Sequence, residues 1–150
     1  MNKIFLIIFI LIYTTNAGQI YKKNAALITY DDIPDEYFLT YRFNIIKVIS
    51  ENLSQLNLSP EQLSQIKELN ERYYPLMFEK AKKIKEEEER LKEVVLKENN
   101  PDVVKQLLID IAQLKTQLSL YDINLLKAVQ SILTKKQFEK IINYVDKTEI

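Results

Sequence analysis

The chain has 150 residues, enough for one domain, with 21 basic and 21 acidic residues and no net formal charge. It contains no His, no Cys and a single Gly. That composition removes imidazole and thiolate metal ligands, Cys nucleophiles, disulfides and Gly-rich phosphate loops, and the balanced charge gives no field that attracts nucleic acid.

Residues 1–17 read as a secretory signal peptide. Lys3 supplies the positive start, Ile4 to Ile12 are uniformly apolar, and Thr15-Asn16-Ala17 places small residues at the cleavage positions. The apolar run is shorter than the roughly 20 residues that span a bilayer, so cleavage after Ala17 is expected and stable membrane insertion is not. The remainder carries 20 basic and 21 acidic residues, Lys3 being the only charge in the leader. Residues 18–32 lack periodicity and read as an N-terminal arm, and 33–150 as one helical domain.

Asp31-Asp32-Ile33-Pro34-Asp35-Glu36 has the chemistry of a helix start: Asp caps, Pro in the first turn and acids against the positive helix end. The spacing of Phe38, Tyr41, Ile45, Val48 and Ile49 predicts a helix from there to about Leu53. At Leu58-Ser59-Pro60-Glu61-Gln62-Leu63 a second start follows. The Ser59 hydroxyl accepts from the backbone N–H of Gln62, and the Gln62 side chain reaches back to the N–H of Ser59, a capping box. Leu58 and Leu63 form the accompanying apolar staple.

This predicts a helix from Ser59 to about Lys97, roughly 55 Å long at 1.5 Å per residue. Its seam runs through Leu63, Ile66, Asn70, Tyr73, Met77, Lys80, Ile84, Glu87, Leu91 and Val94 at the coiled-coil period. Pro75 lies inside it and predicts a kink. Between Glu79 and Glu93, twelve of fifteen residues are charged. Glu79/Lys83, Glu86/Arg90 and Glu88/Lys92 fall at i,i+4 in the favourable order. Asn100 caps the next helix, Pro101 opens it, and a 3-4 seam carries it from Val104 through Leu118, Tyr121 and Leu125 to Ile132. Leu108, Leu120, Ile123, Leu126 and Val129 widen that stripe beyond what one partner helix needs. Leu133-Thr134-Lys135-Lys136-Gln137-Phe138 then repeats the capping box and staple 75 residues after the first and predicts a last helix to about Asp146.

Two capping boxes sharing the same Leu and Gln, in an all-helical exported chain, resemble the LTxxQ-motif family of bacterial periplasmic proteins, the Spy/CpxP group. Leu133, Thr134 and Gln137 match the motif fully; Leu58, Ser59 and Gln62 depart from it in having Ser for Thr. The resemblance runs from about Asp35 to the C-terminus. It implies an all-α, four-helix hairpin-like fold with two long antiparallel helices, pairing into a curved cradle-shaped homodimer. It also implies ATP-independent holding of unfolded or misfolded clients during envelope stress. Some members instead restrain the periplasmic domain of a sensor kinase, and a structural coiled-coil protein of the envelope is a further reading. Family members with metal roles carry His ligands and members often show a basic concave face; this chain has no His and is nearly neutral.

No catalytic group, cofactor or metal site is expected. Glu86 to Glu89 splay around a helix and do not converge on one ion. The motif residues are read as structural caps. The candidate client contacts are Tyr73, Tyr74, Phe78 and Tyr121, half-polar rings at the middle of the two long helices. Mass spectrometry of the exported protein is expected to find Gly18 at the N-terminus; an intact Met1 would remove both the signal reading and the periplasmic one.

Overall fold

A computed structural model describes residues 33–98 and 100–145. Residues 1–32, where a leader and an arm are expected, lie outside the described residues, as do Asn99 and the last five positions. Within them the protein is all-α. A short 3-10 turn, Asp35–Tyr37, is followed by α1 (Ile45–Glu51), α2 (Leu53–Leu56), α3 (Pro60–Lys97), α4 (Pro101–Ile132) and α5 (Lys135–Val145). No described helix is long and apolar enough to cross a membrane.

The body is the α3/α4 hairpin. Residues meet in opposite chain order along it: Gln62 with Ile132, Tyr73 with Tyr121, Glu88 with Lys115, so the helices are antiparallel. Both starts are fixed locally. Ser59 and Gln62 form the capping box with Pro60 in the first turn, and the Asn100 side chain accepts from Val103 N–H, with Pro101 beside it. The seam positions Leu63, Ile66, Met77, Ile84 and Val94 of α3 are buried, as are Leu107, Ile111, Leu118 and Leu125 of α4. α3 continues through Pro75, whose ring lies on the exposed side of the helix. The missing N–H of Pro75 therefore leaves its unpaired acceptor close to water.

The proximal half of the hairpin carries the other elements. α1, α2 and α5 add Ile45, Ile46, Ile49, Leu53, Leu56 and Ile141 to the core. α5 is tied to α2 by Lys140 Nζ, which donates to the Gln55 carbonyl at 2.9 Å, and by the Tyr144 hydroxyl, which donates to the Gln55 side chain. The distal half projects with its charged stretch largely in water. Of the i,i+4 pairs predicted there, Glu79–Lys83 forms at 3.8 Å. The other two are replaced. Arg90 pairs with Glu87 at 3.7 Å, while Glu88 leaves its own helix for Lys115 of α4 at 2.7 Å. A tertiary partner in a partly buried site outcompetes a solvent-screened intrahelical one.

The predicted first helix is the main departure. Instead of one helix from Ile33 to Leu53, residues 38–44 are non-helical, and two short helices follow, which makes five α-helices among the described residues. The cause is a row of side chains on α4 at the spacing of one helix face. Lys115 Nζ donates to Glu36 O at 3.1 Å. Ser119 Oγ accepts from Leu39 N–H at 2.9 Å, and Asp122 Oδ2 accepts from Phe43 N–H at 2.8 Å. These satisfy backbone groups that a helix would otherwise satisfy. Asn44, at φ 45° and ψ 41°, turns the chain left-handed into α1, a conformation Asn tolerates better than most residues. Asn57, at φ 49°, makes the same turn after α2. Residues 33–44 thus form a strap laid along α4, with Ile33 and Phe38 buried and Leu39 and Tyr41 exposed.

Candidate functional site

The two sequence motifs meet. Ser59 Oγ accepts from Gln62 N–H at 3.1 Å and Gln62 Oε1 accepts from Ser59 N–H at 3.0 Å. Thr134 and Gln137 repeat this at 3.3 and 2.9 Å. The amide groups of Gln62 and Gln137 then bond each other reciprocally, each Nε2 donating to the other's Oε1, at 3.0 and 3.1 Å. The remaining donors reach across. Gln62 Nε2 donates to Ile132 O, the last carbonyl of α4, at 3.0 Å. Gln137 Nε2 donates to Leu56 O and Asn57 O at the end of α2, at 3.3 and 3.2 Å. Each Gln therefore caps the start of its own helix and the end of the element preceding the other helix. Leu58, Leu133 and Leu63 are buried around this joint and Phe138 is half-buried against the same core.

The four candidate contact rings separate into two pairs on α3 and α4. Tyr73 packs edge-on against Tyr121, centroids 6.4 Å apart, across the hairpin seam. Tyr74 stacks on Phe78 within α3 at 6.0 Å. Successive residues on a helix point about 100° apart, and Tyr74 faces a small gap lined by Ile33, Arg42, Ile45, Met77 and Asp122, under the strap. Tyr73, Tyr74 and Tyr121 are half-buried, whereas Phe78 keeps 45% of its surface and its neighbour Leu76 also 45%. The structure thus brings together Tyr74 with Phe78 and Tyr73 with Tyr121, and of the four rings leaves Phe78 the exposed one.

Sequence reasoning did not single out Ser119 and Asp122. Both are buried, Asp122 keeping only 2% of its surface. The available signal was two polar residues three apart beside a seam of Leu118, Tyr121 and Leu125. Burial pushes the Asp122 carboxyl above its ordinary value of 3.8; the N–H groups of Phe43 and Asn44 and the Arg42 guanidinium oppose this, and Asp35 adds to it. Arg42 is held by Ile33 O at 2.7 Å and Asp35 Oδ1 at 2.9 Å, and its guanidinium lies 4.9 Å from the Phe38 ring centroid. Lys115 lies between Glu88 and the Tyr37 ring. Burial, and then the charges of Glu88, Glu36 and Glu89, raise the Tyr37 pKa, so its hydroxyl stays protonated.

Among the described residues no group of three or more His, Cys, Asp or Glu side chains is arranged to hold a metal ion. No family model, curated protein or solved structure matches the chain.

Ser59→Ala and Thr134→Ala each remove one cap and are expected to cost about 1 kcal/mol in urea unfolding. Gln62→Ala and Gln137→Ala remove bonds in two elements, so each is expected to cost more than either cap. Their double-mutant cycle should give a coupling between about 0.5 and 3 kcal/mol; zero coupling would show that the joint has no energetic weight. Asp122 sets a pH dependence. Because its folded-state pKa is raised, the folded protein holds that proton more tightly than the unfolded chain. Its contribution is fully present below pH 3.8, its unfolded value, and is lost as pH rises through the folded value. The stability of wild type relative to Asp122→Asn should therefore decline from acid toward neutrality. A flat difference would remove the assignment.

Proposed function

We propose that this protein is a periplasmic, ATP-independent chaperone of the LTxxQ type, which binds non-native polypeptides without catalysing a reaction on them. The observation that carries the reading is the accessible apolar surface on α3. Phe78 keeps 45% of its surface and stacks on Tyr74, while Leu76, on the other side of the helix at i+3 from Tyr73, also keeps 45%. An apolar patch rimmed by Lys and Glu is suited to weak, reversible contact with exposed apolar segments. The surrounding charges, Glu79, Lys80, Lys82 and Lys83, keep such a patch soluble and offer both signs to a client. The paired motifs support the family assignment, since the two Gln side chains are used as a matched pair. In that family two hairpins join into a cradle, and a homodimer is part of the same proposal.

The test is suppression of aggregation of two unrelated denatured proteins, without ATP, by wild type, Phe78→Ala and Tyr74→Ala. Phe78 is nearly half exposed, so Phe78→Ala should melt close to wild type while suppression falls several-fold. Tyr74 is partly core, so its truncation should also lower the melting temperature. A well-folded Phe78→Ala with full suppression would move the client surface elsewhere. Absence of suppression by wild type on both proteins would overturn the chaperone reading.

A further inference from the structure

The strap is held along its length by side chains of α4. One face of α4 supplies three side chains that engage the strap's main chain: Lys115 donates to Glu36 O, Ser119 accepts from Leu39 N–H and Asp122 accepts from Phe43 N–H. The three side chains sit at i, i+4 and i+7, and the strap atoms they hold ascend in the same order. Bonds to main-chain atoms hold a segment with little regard to its sequence, and buried side-chain positions then select residues. Two pockets are filled, by Ile33 at 2% exposure and Phe38 at 6%. Between the anchors the strap turns other apolar side chains outward, Leu39 at 59% and Tyr41 at 46%. It contributes one 3-10 turn and no α-helix before the left-handed turn at Asn44. An element with few regular hydrogen bonds opens locally more readily than the helices beneath it.

We infer that the face of α4 carrying Lys115, Ser119 and Asp122 is a polypeptide-binding groove, occupied in cis by residues 33–44 as an autoinhibitory strap. When the strap lifts, the groove takes a non-helical segment of another chain that presents an aromatic residue in place of Phe38. The partner is an unfolded polypeptide read through its backbone amides and one ring. The inference rests on the client-binding reading for the source of that chain, and it adds a second, regulated surface to the open patch at Phe78. Strap release uncovers the pockets of Ile33 and Phe38 together with the gap beside Tyr74 and Met77, so the apolar area offered to a client grows only when the strap is displaced.

The experiment uses the full chain and a fluorescent peptide with the sequence of residues 33–44. Phe38→Ala loosens the strap without touching the groove, so it should bind the peptide at least ten-fold tighter than wild type, measured by anisotropy. Adding Ser119→Ala to Phe38→Ala should reverse most of that gain, and a peptide with Ala in place of Phe38 should bind at least ten-fold more weakly. Helicity and melting are followed in parallel. Hydrogen exchange of wild type gives an independent reading that survives a poorly folded Phe38→Ala. The Leu39 and Phe43 amides should exchange through a local opening, well before the core amides of α3 and α4. Exchange of those two amides only with global unfolding would overturn the proposal, as would a folded Phe38→Ala that fails to bind the peptide. Peptide binding by Phe38→Ala with no aggregation suppression by any variant would support the groove and sink the chaperone reading. Suppression by wild type with no peptide binding by a folded Phe38→Ala would do the reverse.

Discussion

The arrangement depends on one reciprocal contact, the paired amides of Gln62 and Gln137. A primary amide has two donors and two acceptor lone pairs, and here both amides use them on caps, on each other and on carbonyls at the ends of α2 and α4. Helix ends leave backbone groups unpaired, and burying them without partners costs about 1–3 kcal/mol each. At this joint two helix starts and two helix ends converge among Leu58, Leu63 and Leu133. The Gln pair is what lets that convergence be apolar around a satisfied polar centre. Shortening either side chain by one methylene, as in Asn, would break both the box and the bridge, because the amide would no longer reach its own cap.

From that joint the hairpin extends as a simple object: two long helices, a buried seam and a charged exterior. Its proximal half is thickened by α1, α2, α5 and the strap, while its distal half is left as two helices. The distal ion pairs along α3 are mostly exposed and contribute little each, about 0.2–0.5 kcal/mol. Lys115 differs because it ties three elements, pairing with Glu88, bonding Glu36 O and facing the Tyr37 ring. It stands where the strap begins, so the thick and thin halves of the molecule meet at one lysine.

The buried Asp122 gives the strap its character. A carboxylate in an apolar setting is costly unless bonded, and this one is bonded to amides from the part of the strap that has no helix. The carboxylate and the strap therefore depend on each other: without the strap the amides are absent, and without the carboxylate the turn into α1 has no acceptor. Placing the polar row on α4 and not on the strap keeps the recognition surface on the most regular element of the fold.

The sequence by itself determined the helix starts at Ser59, Asn100 and Thr134, the lengths of α3 and α4 and most of their seam. Caps and helical periodicity are local, and nothing in the tertiary structure opposes them. Tertiary structure alone decided the segment from Ile33 to Asn44. Its Asp-rich start and helical spacing were genuine local signals, but they were outweighed by acceptors from residues about 80 positions away, at Ser119 and Asp122. The meeting of Gln62 with Gln137 was likewise beyond reach. Each box was visible in its own six residues, yet their contact spans 75 positions and required the hairpin to close first. Among the aromatic rings, spacing placed Tyr73, Tyr74, Phe78 and Tyr121 together. Which of them stays open to solvent followed from where the strap lies, because one residue of offset on α3 turns Tyr74 toward the strap and Tyr73 toward Tyr121.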